Sequence, residues 1–164
     1  MDIFDVEIVK FWRSLQQNRV KFIMIGGFAT NLHGYQRFTG DMDVWIEDTS
    51  ENRKNLRKAF FDYGLGDLEL LETISFITGW TNFHLKNGLQ LDIVTDMKGL
   101  ESYSFNECYR LAAIAEIDDV QIPFLHINHL ILNKKEVGRE KDLLDVIYLE
   151  RIKNLEANNN LGNP

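Results

Sequence analysis

Apolar residues recur at helical spacing from residue 2 to residue 18, with Ile3, Phe4, Ile8, Phe11, Trp12 and Leu15 on one side, which predicts an amphipathic helix. The pattern then changes. Residues 20–25, Val-Lys-Phe-Ile-Met-Ile, are apolar and β-branched enough for a buried strand, and Gly26-Gly27 ends it abruptly and opens a helix. His33-Gly34 closes that helix, with Gly34 as a left-handed cap and His33 packing or hydrogen-bonding beside it. In Asp41-Met42-Asp43-Val44-Trp45-Ile46 a period of two puts both carboxylates on one face of a strand and Met42, Val44 and Ile46 on the other. Residues 51–63 suit a helix, 73–78 and 82–85 suit strands, and 89–94 completes the sheet. Residues 111–125 read as a hairpin around Asp118-Asp119, and 128–136 and 139–154 as two closing helices, the first capped by Asn128. The Asn-rich stretch 157–164 has almost nothing to bury and is expected to be disordered. These elements predict an α+β fold, a mixed sheet flanked by helices. One domain spans 1–156, with a core of about 1–100 and a C-terminal hairpin and helices in about 105–156.

The polar positions inside this pattern carry the chemistry. Glycines at a strand-to-helix turn let backbone approach a ligand, and the free N–H groups of the new helix attract phosphate oxygens. Two carboxylates as close as Asp41 and Asp43 repel each other unless a cation sits between them. Oxygen-only ligands suit a hard ion such as Mg²⁺, which keeps waters and substrate phosphates in its shell. A third acid, Asp92, stands alone among apolar neighbours in a strand after the turn signal Asn87-Gly88. A two-residue loop there pairs Leu85 with Gln90, His84 with Leu91 and Phe83 with Asp92. It sends Leu89, Leu91 and Ile93 toward the helices and Asp92 to the exposed face with the other two acids.

With these residues in place the chain resembles the nucleotidyltransferase superfamily of the DNA polymerase β type. That pattern is a Gly-Gly turn, a carboxylate pair with one residue between, and a later carboxylate; Gly26-Gly27, Asp41/Asp43 and Asp92 fill it in order. Within it the chain is most similar to the small bacterial group of AbiEii-type toxins and antibiotic nucleotidyltransferases. Gly26, Gly27, Ala29, His33, Gly34, Arg37, Thr39, Asp41 and Asp43 match that group's motifs, and residues 130–150, LILNKKEVGREKDLLDVIYLE, resemble its closing motif. The resemblance covers roughly residues 4–156. It implies a nucleotidyltransferase fold and Mg²⁺-dependent transfer of a nucleoside monophosphate from an NTP to an acceptor. Asp41 and Asp43 would bridge two Mg²⁺ ions about 3.5–4 Å apart, and Asp92 would ligate the second ion or take the acceptor's proton. Gly26 and Gly27 would cradle phosphate, and Lys134 would reach the triphosphate. The acceptor it implies is RNA such as tRNA, or a protein, in a toxin–antitoxin-like role with a cognate antitoxin. An antibiotic acceptor of the aminoglycoside or lincosamide kind and a non-catalytic nucleotide-binding module are the alternatives.

Leu130, Ile131 and Lys134 share a helix face at spacings of three and four, which draws Lys134 toward the core and cleft and leaves Lys135 pointing elsewhere. Arg37 and Thr39 lie in the loop before the acid strand, where Arg37 pairs with phosphate or holds a carboxylate. Arg139, Lys141, Asp142 and Asp145 form a second cluster: Lys141 and Asp145 are spaced for a helix-surface ion pair, and Asp142 suits orienting a basic neighbour better than binding metal. His84 falls on the core side with Leu91, and His126 and His129 lack metal-ligand spacing.

Composition narrows the setting. The 164 residues are 45% apolar, enough for a sizeable core, and carry a net charge of −7, which argues against a generic nucleic-acid binder. An RNA acceptor would need a local patch such as Lys134, Lys135, Arg139 and Lys141, and a cationic antibiotic suits the charge better. Cys108 is the one cysteine, no signal pattern opens the chain and no apolar run approaches the roughly 20 residues that span a bilayer, so a cytoplasmic protein without membrane contact is expected.

Overall fold

The computed structural model describes residues 5–161. Helix α1, Val6–Gln17, starts where the Asp5 carboxylate accepts from the backbone N–H groups of Glu7 and Ile8, and it buries Ile8, Phe11, Trp12 and Leu15. Ile3 and Phe4, expected on the same stripe, lie outside the described residues. Strand β1, Phe22–Ile25, is buried at every position, as befits a strand covered on both sides. It runs directly into α2, Gly26–Leu32, which ends at His33 with Gly34 left-handed at φ +107°. Strand β2, Asp41–Ile46, returns antiparallel to β1, and α3, Ser50–Tyr63, follows a Thr49 cap.

Residues 73–78 form no strand, contrary to the alternation of Thr73-Ile74-Ser75-Phe76-Ile77-Thr78. A 3-10 turn over Glu69–Glu72 leads into a loop wrapped around Arg53, whose Nη1 donates to the carbonyls of Leu71 and Ile74 and whose guanidinium lies 4.8 Å from the Phe76 ring centre. Backbone groups satisfied by a side chain in this way are lost to a sheet ladder.

Strands β3, Asn82–His84, and β4, Gln90–Val94, form the next hairpin, displaced by one residue from the expected register. The Leu85 N–H donates to Leu89 O, so the loop holds three residues, Lys86-Asn87-Gly88, with Gly88 left-handed at φ +82°. Asp92 therefore pairs with Asn82, and Phe83 pairs with Leu91. A one-residue slip exchanges faces. On β3 it moves His84 from the expected core side to an exposed position opposite Gln90.

The hydrophobic pattern gives no warning of α4, Phe105–Leu111, although Ser104 and Glu107 make a reciprocal capping box at its start. Strands β5, Ala113–Ile117, and β6, Val120–Phe124, are joined by Asp118 and Asp119, both at positive φ, as a tight two-residue hairpin requires. The two closing helices are α5, Ile127–Val137, and α6, Glu140–Leu161. The cap of α5 is His126, whose Nδ1 accepts from the Asn128 N–H, so Asn128 lies inside the helix instead of capping it. Of the tail expected to be disordered, residues 157–161 continue helix α6, because extending a helix already anchored on the core costs far less than nucleating one, and 162–164 lie outside the described residues.

The sheet order is β3-β4-β2-β1-β6-β5, with β2/β4 and β1/β6 parallel and the other neighbours antiparallel. One apolar core runs beneath it, from Ile8, Phe11 and Trp12 through Met42, Val44 and Ile46 to Leu91 and Ile93. No described helix is long and apolar enough to cross a membrane.

Candidate functional site

Strand register brings the acids together. In the parallel β2/β4 pair Asp43 sits directly opposite Asp92, and Asp41 lies two residues earlier on the Asp43 face. Each of the three carboxylates offers an oxygen within 4.8 Å of the others, and this is the one such cluster among the described residues. Like charges directly opposed across a ladder destabilise it unless something neutralises them. Burial together with the charges of Asp41 and Asp92 pushes the Asp43 carboxyl up to about 7. Burial also raises Asp92, which is 8% exposed, and the Asp41 charge adds to this; the Gln90 side-chain amide opposes the shift by donating to both Asp92 oxygens at 3.2 Å. Three converging oxygen donors carrying uncompensated charge fit a hard divalent cation.

The glycine pair is fitted to this cluster. Gly26 follows Ile25, the β1 partner of Asp43, and has φ +65°. A Cβ there would stand 2.1 Å from Asp43 Oδ2. A Cβ on Gly27 would stand 2.4 Å from Thr39 Oγ1. Thr39, itself buried, donates to the Asp41 carbonyl at 3.1 Å and lies 3.3 Å from Asp41 Oδ1. Both glycines are thus required by packing against the acid strand and its approach loop.

A charge network, buried except at Arg139 and in part at Arg37, underlies the site. Arg37 holds Asp145 in a two-pronged pair, Nε to Oδ1 at 2.7 Å and Nη2 to Oδ2 at 2.8 Å. Lys134, 3% exposed, donates to Asp145 Oδ2 at 2.6 Å and lies 3.6 Å from Asp142. Arg139 Nε completes the chain to Asp142 at 2.6 Å. Burial raises the Asp142 carboxyl, but the Arg139 hydrogen bond and the Lys134 and Arg139 charges outweigh it and hold the group below its ordinary value. Arg139 is held above its own by Asp142 first, then by Asp43 and Asp41. Three cations share two carboxylates, and the surplus positive charge faces the acid triad.

Lys134 shares its buried face with Leu130 and Ile131, while Lys135 is exposed and pairs with Glu150 at 2.6 Å. The expected Lys141–Asp145 surface pair does not form, because Asp145 is fully buried between Arg37 and Lys134. Lys141 points instead toward the acids, lowering Asp43 through its charge, and lines an open cleft with Asp41 and Gln90. Sequence reasoning missed Asp145 as the shared anchor, although Asp142, Asp145 and Leu149 follow helical spacing along the buried side of α6. It also missed Gln90, for which no signal precedes the register. His33 Nε2 donates to Leu125 O at 2.8 Å, and buried His129 packs on Tyr103; neither belongs to an acid cluster.

No family model matches the sequence, and no curated protein matches it. Solved structures do. A candidate nucleotidyltransferase from Thermotoga maritima superposes with a TM-score of 0.52 at 16% identity, over 93% of this chain and 90% of its own. An antigenic nucleotidyltransferase-like protein from Paracoccidioides brasiliensis gives 0.51 at 18% identity, over 88% of this chain and 72% of its own. ANT(2″)-Ia, solved with adenylyl-2″-tobramycin, aligns at 16% identity, but its TM-score of 0.45 adds nothing to the comparison. The chain has the nucleotidyltransferase fold, a mixed six-stranded sheet with flanking helices.

Proposed function

We propose that the protein is a Mg²⁺-dependent nucleotidyltransferase that moves a nucleoside monophosphate from an NTP to an acceptor hydroxyl, releasing pyrophosphate. The convergence of Asp41, Asp43 and Asp92 on one point beside the glycine turn carries this reading. Asp41 and Asp43 would hold two ions jointly and Asp92 one of them. Bound there, the metal supplies charge stabilisation of the phosphoryl group and acidifies the acceptor hydroxyl. Asp92 is also the carboxylate we assign to take the acceptor's proton. Gly26 and Gly27 bring backbone N–H groups up to the phosphates. Lys134 offsets negative charge at the triad from beneath, held by Asp145. Arg37 and Thr39 fix the loop that carries Asp41, and Arg139 and Asp142 fix the start of α6.

On the acceptor side we favour a small cationic molecule over RNA. Of the basic cluster that RNA would use, Lys134, Lys135 and Arg139 are each paired to a carboxylate, and the net charge is −7. Incubation with each of four α-labelled NTPs, Mg²⁺ and separate RNA, protein and aminoglycoside pools tests both points. Label should enter one pool with wild type and none with Asp43→Asn. Equal transfer by Asp43→Asn overturns the metal assignment, and label in RNA overturns the acceptor preference.

A further inference from the structure

Beside the acid triad lies an open cleft of about 410 Å³, bounded by Arg37, Phe38, Gly40, Asp41, Gln90 and Lys141. Two features of its walls are unused by the structure itself. Phe38 is 80% exposed, although the loop that carries it is firmly held. Arg37 is clamped to Asp145 and its Nη1 donates to Phe38 O at 3.0 Å. Asn31 grips the same loop from both sides, accepting from the Arg37 N–H and donating to the Arg37 carbonyl. The ring reaches over Gly40, where a Cβ would come within 3.8 Å of Phe38 Cε1. A large apolar ring kept in water by a rigid loop is a surface waiting for a partner face. Lys141, which also lines the cleft, is exposed and makes no ion pair among the described residues, whereas Lys134 is buried and held by Asp145 and Asp142.

We infer that this cleft seats the donor nucleoside triphosphate, with its base stacked on Phe38 and its phosphates met by the Lys141 ammonium. The inference rests on the nucleotidyltransferase reading and assigns to Lys141 the direct phosphate contact that the buried Lys134 does not offer. An aromatic face accepts any base, so the contact confers affinity with little base preference. Binding also brings the triphosphate alongside Asp41, where metal held by the triad would share it.

Calorimetric titration of Mg·ATP, Mg·CTP, Mg·GTP and Mg·UTP, and of Mg·tripolyphosphate, which has no base, separates the two contacts. Phe38→Ala should weaken every nucleotide that wild type binds by about tenfold and leave tripolyphosphate unchanged, and Phe38→Tyr should restore binding. Lys141→Ala should weaken nucleotide and tripolyphosphate alike, by about tenfold. Both side chains are exposed, so melting temperatures should stay at the wild-type value and exclude misfolding. Nucleotide binding indifferent to Phe38, or tripolyphosphate binding indifferent to Lys141, overturns the inference alone. Failure of wild type to bind any nucleotide or tripolyphosphate overturns the transferase reading, and the inference with it.

Discussion

Asp43 concentrates the conflict in the site: a carboxylate opposite Asp92, next to Asp41 and pressed on Gly26. Its pKa, raised from 3.8 to about 7, means that the folded protein binds this proton more tightly than the unfolded chain. Stability from this group is greatest below the unfolded value, falls as pH rises from about 4 to about 7, and is level above. Without divalent metal, Asp43→Asn should therefore melt higher than wild type at pH 8, by about 2–4 °C for each kcal/mol of repulsion removed, with the difference closing toward pH 4 in a thermal scan. Gly26→Ala should do the opposite. Its left-handed backbone costs about 1–2 kcal/mol for a residue with a side chain, and the new methyl displaces Asp43, so a lower melting temperature and lost metal binding are expected. The glycine pair and the Asp-x-Asp were legible because each announces itself locally. That a Gly26 methyl would collide with Asp43 and a Gly27 methyl with Thr39 was not, since both contacts are made across the fold.

At the scale of elements, the site depends on how α5 and α6 are bolted to the Arg37 loop. Removing the Lys134 ammonium leaves Asp145 to Arg37 and Asp142 to Arg139 but takes a buried, charge-assisted hydrogen bond from between them, so Lys134→Ala should cost about 1.5–3 kcal/mol in urea unfolding, against less than about 1 for Lys135→Ala, whose exposed pair with Glu150 is screened. Equal costs would show that the network does not hold the helices. The spacing of Leu130, Ile131 and Lys134 revealed the buried face, but not its partners, because Asp145 and Arg37 are 108 residues apart. Local pattern also misled where side chains captured backbone: in the loop at residues 73–78 Arg53 takes the Ile74 carbonyl, and the Thr81 hydroxyl accepts from the Ile77 N–H and donates to the Ser75 carbonyl. The left-handed Gly88 lengthened the β3–β4 turn by one residue and reversed the faces of β3. Helix α4 went unread although Ser104 and Glu107 spelled its cap.

Over the whole molecule, the order β3-β4-β2-β1-β6-β5 places the start of β2 and β4 beside the end of β1, which makes one acid cluster from residues 41, 43 and 92 and one turn from residues 26 and 27. The fold class followed from alternating patterns, and the parallel β2/β4 pair that aligns Asp43 with Asp92 emerged only in three dimensions. A triad assembled by long-range pairing exists in the native state alone, so metal should stabilise the fold as well as bind it. Titration of Mn²⁺ into wild type and Asp43→Asn at pH 8 and pH 6 tests this directly. Wild type should bind at pH 8, bind about tenfold more weakly at pH 6 as Asp43 takes up its proton, and the variant should lose binding at both. Equal Mn²⁺ affinity in the two proteins, or no binding by wild type at pH 8, would contradict the account.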